Sequence, residues 1–102
     1  MSNVSTKHSK ETHEMVIAVR GRFTYDVHKE FREAYEQLDF ASTRFVIDLA
    51  ETEYMDSAAL GMLLLLRERA GGDQAQVKLI NCSKELMQLI KLTNFHNLFE
   101  IA

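Results

Sequence analysis

The sequence predicts an α/β domain, a mixed and mostly parallel β-sheet with helices packed on it in the order β-β-α-β-α-β-α-β. Three features carry this. Short apolar runs, EMVIAV (14–19), FVIDL (45–49) and VKLINC (77–82), have the length and β-branched content of buried strands. Between them lie segments whose apolar residues return every three to four positions, the period of an amphipathic helix. Gly, Ser and Asp mark the boundaries, and the chain has no proline. Strands joined through helices must run parallel, by right-handed crossovers, whereas the first two strands can pair as an antiparallel hairpin.

Residues 1–13 are rich in Ser, Thr, Lys and His, with Val4 as an aliphatic anchor. They read as a polar tail or an edge strand, and the edge strand over Asn3–Ser9 is preferred. Glu14 to Val19 is apolar enough to be covered on both faces, and Gly21 breaks it. Thr24 or Asp26 caps a helix over Val27–Asp39, whose Val27, Phe31, Ala34, Tyr35 and Leu38 share one side. After the strand at 45–49 comes a polar connection, Ala50 to Glu53. Tyr54-Met55-Asp56-Ser57 then delivers the chain into a strongly apolar helix. Ala59, Leu63, Leu66 and Ala70, flanked by Leu60 and Met62, form its sheet-facing side. Gly71-Gly72 is a C-cap signal. Ser83 caps a last helix, Lys84–Thr93, with Leu86, Leu89, Ile90 and Thr93 inward, and Leu98–Ile101 closes the chain as a strand.

With 102 residues and 46% hydrophobic content, residues 1–102 form one domain with one core. Arg67, Glu68 and Arg69 stop the apolar run at Leu66, well short of the ~18 residues a membrane span needs. Direct membrane insertion is therefore not expected. Met1 to Glu14 lacks the apolar region of a secretory signal. The single cysteine, Cys82, cannot form an internal disulfide, which fits a reducing, cytoplasmic setting. A formal charge of −3 without a basic cluster argues against nucleic acid as a partner.

The chemistry concentrates at the start of the second helix. Asp56 and Ser57 are both good N-caps, because a short side-chain oxygen accepts from free N–H groups of the first turn. The outer stripe of that helix runs Ser57, Gly61, Leu64, Glu68, with Ala58 and Leu65 beside it. Leu64 and Leu65 next to a glycine and a hydroxyl make an apolar patch of the kind that docks a partner. Asp48 and Asp56 are two carboxylates without a third ligand at convincing spacing, so loop hydrogen bonding suits them better than metal or acid–base work. Ser57 has Asp-Ser-Ala around it instead of G-x-S-x-G, and none of His8, His13, His28 and His96 is placed as its base, so a hydrolase is disfavoured. The scattered histidines suggest no zinc site. Cys82 reads as a small apolar group. No cofactor and no metal are expected.

The stretch DLAETEYMDSAALGMLLLL resembles the signature of STAS domains, in particular the bacterial anti-sigma factor antagonists with their DL…MDSSGLG-type motif. The resemblance extends over essentially the whole chain and implies the STAS fold. In that family the serine directly after the aspartate is phosphorylated by a partner kinase, and here that serine is Ser57. Two positions depart from the pattern. The family's G-x-[LI]-D turn is Gly21-Arg22-Phe23-Thr24 here, with Asp26 two residues on, and the glycine two residues after the phosphoserine is Ala59.

The resemblance implies a partner-switching regulator and no enzyme. The unphosphorylated form would bind an anti-sigma factor or serine protein kinase, phosphorylation at Ser57 would release it, and a metal-dependent serine phosphatase of the PP2C type would reset it. Tyr54, Met55, Asp56, Ala58, Gly61, Leu64 and Leu65, with Thr24, would form the contact surface of a protein that is monomeric when free. The alternative is a STAS accessory subunit of a phospholipid ABC transport complex, docked permanently through the same helix, with Ser57 only a cap.

Overall fold

The structure, a computed structural model, describes residues 3–102; residues 1–2 of the polar N-terminal segment lie outside the described residues. Its elements are β1 (Val4–Ser9), β2 (Glu14–Val19), β3 (Gly21–Phe23), α1 (His28–Tyr35), β4 (Arg44–Asp48), β5 (Thr52–Met55), α2 (Ser57–Arg69), β6 (Val77–Ile80), α3 (Lys84–Leu92) and β7 (Glu100–Ile101). The main sheet has five strands in the order β1-β2-β4-β6-β7. β1 folds back on β2 antiparallel, Val4 opposite Val19, and every later neighbour pair is parallel. The edge strand, the hairpin and the mostly parallel sheet agree with the sequence.

Handedness decides the layering. β2 to β4, β4 to β6 and β6 to β7 each step the same way across the sheet. Right-handed crossovers that step one way put their helices on one face. Burial alternates accordingly along β2, β4 and β6. Met15, Ile17, Val19, Phe45, Ile47, Val77 and Leu79 are buried with Phe31, Tyr35, Ala59, Leu63, Leu66, Leu86 and Ile90 of the helices in one core. Val16, Ala18, Val46 and Ile80, between them, stay half-buried on a face that no helix covers. The expectation that 14–19 is covered on both faces fails for this reason: a continuous apolar run serves a one-sided sheet here.

The order read from sequence also lacks two strands. β3 and β5 pair in parallel as a separate two-stranded sheet, Arg22 beside Tyr54 and Phe23 beside Met55. The polar connection 50–53 thus runs directly into a strand whose partner lies some thirty residues upstream, a contact that local periodicity does not encode. Gly21, at φ +78, makes the turn between β2 and β3, in a region that disfavours side chains. Its N–H donates to the Glu51 carbonyl at 2.8 Å, and the buried Thr52 hydroxyl donates to the Val19 carbonyl at 2.7 Å.

Other boundaries shift modestly. A 3₁₀ turn, Tyr25–Val27, precedes α1, whose hydrogen bonding ends at Tyr35 instead of Asp39, although Leu38 still packs on the core. The strand expected over 77–82 stops at Ile80, because Asn81 has φ 59. α3 buries Leu86 and Ile90 while Leu89 is half-buried. Thr93, expected inward, is exposed, with its hydroxyl donating back to the Leu89 and Ile90 carbonyls. β7 is only Glu100–Ile101. Gly71 and Gly72, at φ +122 and +61, end α2 as expected.

The one-sided sheet makes neighbouring residues unequal. Ile47→Ala, at a fully buried site, is expected to cost about 2–5 kcal/mol in urea unfolding. Val46→Ala, one residue away on the uncovered face, should cost about 1 kcal/mol or less. Equal losses would mean that something covers the second face.

Candidate functional site

The start of α2 is built by the small sheet. Phe23 and Met55 are buried at 0% and 4% exposure, and the Asp56 N–H donates to the Phe23 carbonyl at 3.4 Å. This fixes Asp56 in an extended conformation (φ −110°, ψ −176°), from which its Oδ1 accepts the Ala59 N–H at 2.9 Å. Asp56 is the N-cap, and its negative charge also suits the positive helix end. Ser57 is the first helical residue. It is exposed, and its hydroxyl has no hydrogen-bond partner among the described residues. Of the two capping candidates, then, one caps and the other presents a free hydroxyl.

Several of the expected surface residues are exposed or half-buried on β5 and along α2, the elements that flank that hydroxyl. Tyr54 is 44% exposed and carries the Arg22 guanidinium over its ring at 4.6 Å. Along α2, Gly61 and Leu65 are exposed, and Ala58 and Leu64 are half-buried. The helix is not covered all round. Met55 departs from expectation, since it is buried against Phe23 and supports the surface from beneath. Thr24 is half-buried, and its Oγ1 accepts the Asp26 N–H at 3.4 Å, so it, rather than Asp26, caps the 3₁₀ turn.

The structure adds residues that the sequence did not suggest. Tyr25 is 62% exposed and stacks on His28 with ring centroids 4.0 Å apart. The His28 Nδ1–H donates to the Tyr25 carbonyl at 2.7 Å, which holds the pair. Together with Arg22, they extend the surface from α2 across to β3 and α1. Tyr and Arg are the residue types that most often dominate binding energy at interfaces. Their only sequence signal was an aromatic at a polar turn.

The remaining candidates have local tasks. Asp48 accepts from the Ala50 N–H and from Asn81 Nδ2, both at 3.0 Å, and so ties the ends of β4 and β6 together. Asp48 and Asp56 each serve loop and cap geometry. Among the described residues no group of three or more His, Cys, Asp or Glu could hold a metal ion. Cys82 is half-buried, and burial pushes its thiol pKa up. Burial likewise raises Tyr35, against the opposing pull of the Arg69 and Arg32 charges.

Two predictions follow from this geometry. Asp56→Ala should lose about 1 kcal/mol in urea unfolding, whereas Ser57→Ala should stay within about 0.5 kcal/mol of wild type. Equal losses would return Ser57 to a capping role. For Cys82, the folded state holds the thiol proton more tightly than the unfolded chain does. The stability this contributes is complete below the unfolded value of about 8.5 and is lost as pH climbs through the raised folded value. Cys82→Ala should therefore flatten the decline in stability above about pH 8.5, and an unchanged decline would contradict the assignment.

Comparison with known proteins agrees with this architecture. Residues 6–100 match the family model described as Mlab, STAS domain. A STAS-domain containing protein of Pseudomonas aeruginosa (strain UCBPP-PA14) is 46% identical over 94 residues, covering 92% of this chain and 93% of the relative. Among solved structures, a candidate anti-sigma factor antagonist of Thermotoga maritima superposes with a TM-score of 0.81 at 13% identity, over 96% of this chain and 84% of that one. The Bacillus cell fate determinant SpoIIAA in its phosphorylated form gives 0.66 at 13% identity, over 97% and 90%. At such identities the likeness is one of fold: the mixed sheet and three helices are those of the SpoIIAA-like STAS fold. The family match and the close relative show more, and the chain belongs to the STAS-domain family.

Proposed function

We propose that this protein is an anti-sigma factor antagonist that works by phosphorylation-controlled partner switching in the cytoplasm. The observation that carries the reading is the Ser57 hydroxyl, exposed and unengaged at the first turn of a helix that another residue caps. Ser57 is the phosphoacceptor of an anti-sigma factor or serine protein kinase. Tyr54, Ala58, Gly61, Leu64 and Leu65 are the contact residues, and a PP2C-type phosphatase removes the phosphate. That SpoIIAA shares the fold and has a phosphorylated form supports the same chemistry here.

The physics of the switch is local. A phosphate adds roughly −1.5 to −2 charges and three acceptor oxygens. The fold tolerates it, because the free N–H groups and positive end of α2 favour an anion there. A docked partner does not tolerate it. The complex would have to desolvate the new charge beside the Asp56 carboxylate, and buried unpaired charge is expensive. The phosphate therefore blocks an interface without refolding the domain.

Permanent docking on a membrane transport complex is the second reading, favoured by the half-exposed Leu65 and by the apolar groove beside it. No helix among the described residues is long and apolar enough to cross a membrane itself, so this reading needs a membrane-bound partner. Intact mass and peptide mapping of the protein from its own cells, growing and stressed, separate the two. The switch predicts a phosphate on Ser57 whose occupancy changes with condition. It also predicts that Ser57→Asp keeps its unfolding midpoint but loses the co-purifying partner, while Ser57→Ala retains it. An unmodified Ser57 in every condition, with the protein sedimenting with membranes, would favour the transport reading.

A further inference from the structure

Beside Ser57, α1 and α2 do not close against each other along their outer edges. They leave an open groove of about 270 Å³, with Tyr25, Phe31 and Tyr35 on the α1 side and Gly61, Met62 and Leu65 on the α2 side. It is smaller than the roughly 300–1,000 Å³ of most small-molecule sites, and suits one or two large apolar side chains of a protein partner.

Two observations indicate what fills it. The first is Gly61. Glycine in the middle of a helix is unfavourable, and here no intramolecular neighbour requires it, because a Cβ at this position would meet no atom within 4 Å. It leaves the groove wall flat, so that a second backbone can come close. The second is charge. Of the residues lining the groove, Arg32 is the one that carries formal charge, with no carboxylate beside it in the lining, in a chain whose formal charge is −3. Arg32 is half-exposed, and its one described ion pair, with Glu36, is stretched to 4.0 Å.

We infer that the groove receives an amphipathic helix of the partner protein, with apolar anchors at i and i+3 or i+4 lying over Gly61 and Leu65, and an acidic residue reaching Arg32. Helix-in-groove docking of this kind is read through such spacings. The inference rests on the partner-switching reading and adds to it. An acidic helix beside the α2 N-terminus is the ligand that a phosphate on Ser57 repels most strongly, so the basic lip and the phosphorylation site act on the same partner charge.

The test uses the whole chain carrying p-benzoylphenylalanine at position 65 or, as a control, at the 81% exposed Leu92 on α3, photo-cross-linked in its own cells, with the joined peptide sequenced. Position 65, and not 92, is expected to capture a segment with helical apolar spacing and an Asp or Glu. With that purified protein as the probe, Arg32→Glu should weaken binding about tenfold or more, and reversing the captured carboxylate to Lys should restore it. Gly61→Leu should fold with an undiminished unfolding midpoint, since leucine is the better helix former, yet lose binding.

A captured segment that is basic or non-helical, a second copy of this chain at position 65, no cross-link at 65, or undiminished binding by Gly61→Leu would each overturn the groove assignment. If the groove variants fail to affect binding while Ser57→Asp abolishes it, the groove is wrong and the switch stands. If the groove variants abolish binding while Ser57→Asp leaves it intact, the groove stands and the switch is wrong.

Discussion

Right-handed crossover is the constraint on which the rest of this molecule depends. Because each parallel connection steps in one direction from β2 to β7, handedness sends α1, α2 and α3 to one face of the sheet. That face becomes the core. The other stays open, with Val16, Ala18, Val46 and Ile80 half-buried upon it. The same constraint sets α1 beside α2, and so creates the seam between them where the candidate surface lies.

A second device converts this layering into a site. β3 and β5 form only a short parallel pair, yet their buried Phe23 and Met55 anchor the chain immediately before α2. Backbone pairing fixes Asp56 in an extended conformation, the carboxylate takes the Ala59 N–H, and Ser57 is left exposed at the first helical position. Capping and presentation are thus divided between adjacent residues. A serine that capped the helix would have its oxygen engaged, whereas one following an aspartate cap is free for chemistry. The far end of α2 is held equally firmly. The Arg67 Nε–H donates to the Leu98 carbonyl at 2.9 Å, and its Nη2 pairs with Asp73 at 2.9 Å. A helix pinned at both ends suits a switch that acts by surface charge and leaves the backbone unmoved.

The sequence by itself determined the elements whose signals are local. The β-branched runs made strands of 14–19, 45–49 and 77–82, apart from an end residue or two. The 3.6-residue period placed Ala59, Leu63 and Leu66 inward on α2. The Asp56-Ser57 pair marked the helix start, and Gly71-Gly72 its end. The DLAETEYMDSAALG stretch carried the family, since its residues are contiguous in the chain.

Tertiary structure alone decided what depends on contacts between distant segments. It showed that the apolar strands are covered on one face, because handedness, not strand composition, chooses where helices lie. It turned a polar connection into β5 by pairing it with β3, and thereby buried Met55, which contiguity had placed at the surface. It chose Asp56 over Ser57 as the cap, because that depends on the conformation the small sheet imposes. It also brought Tyr25, His28 and Arg32 of one segment beside Gly61 and Leu65 of another. Periodicity reports which way a side chain faces within its own helix, and only packing reports which neighbour it meets.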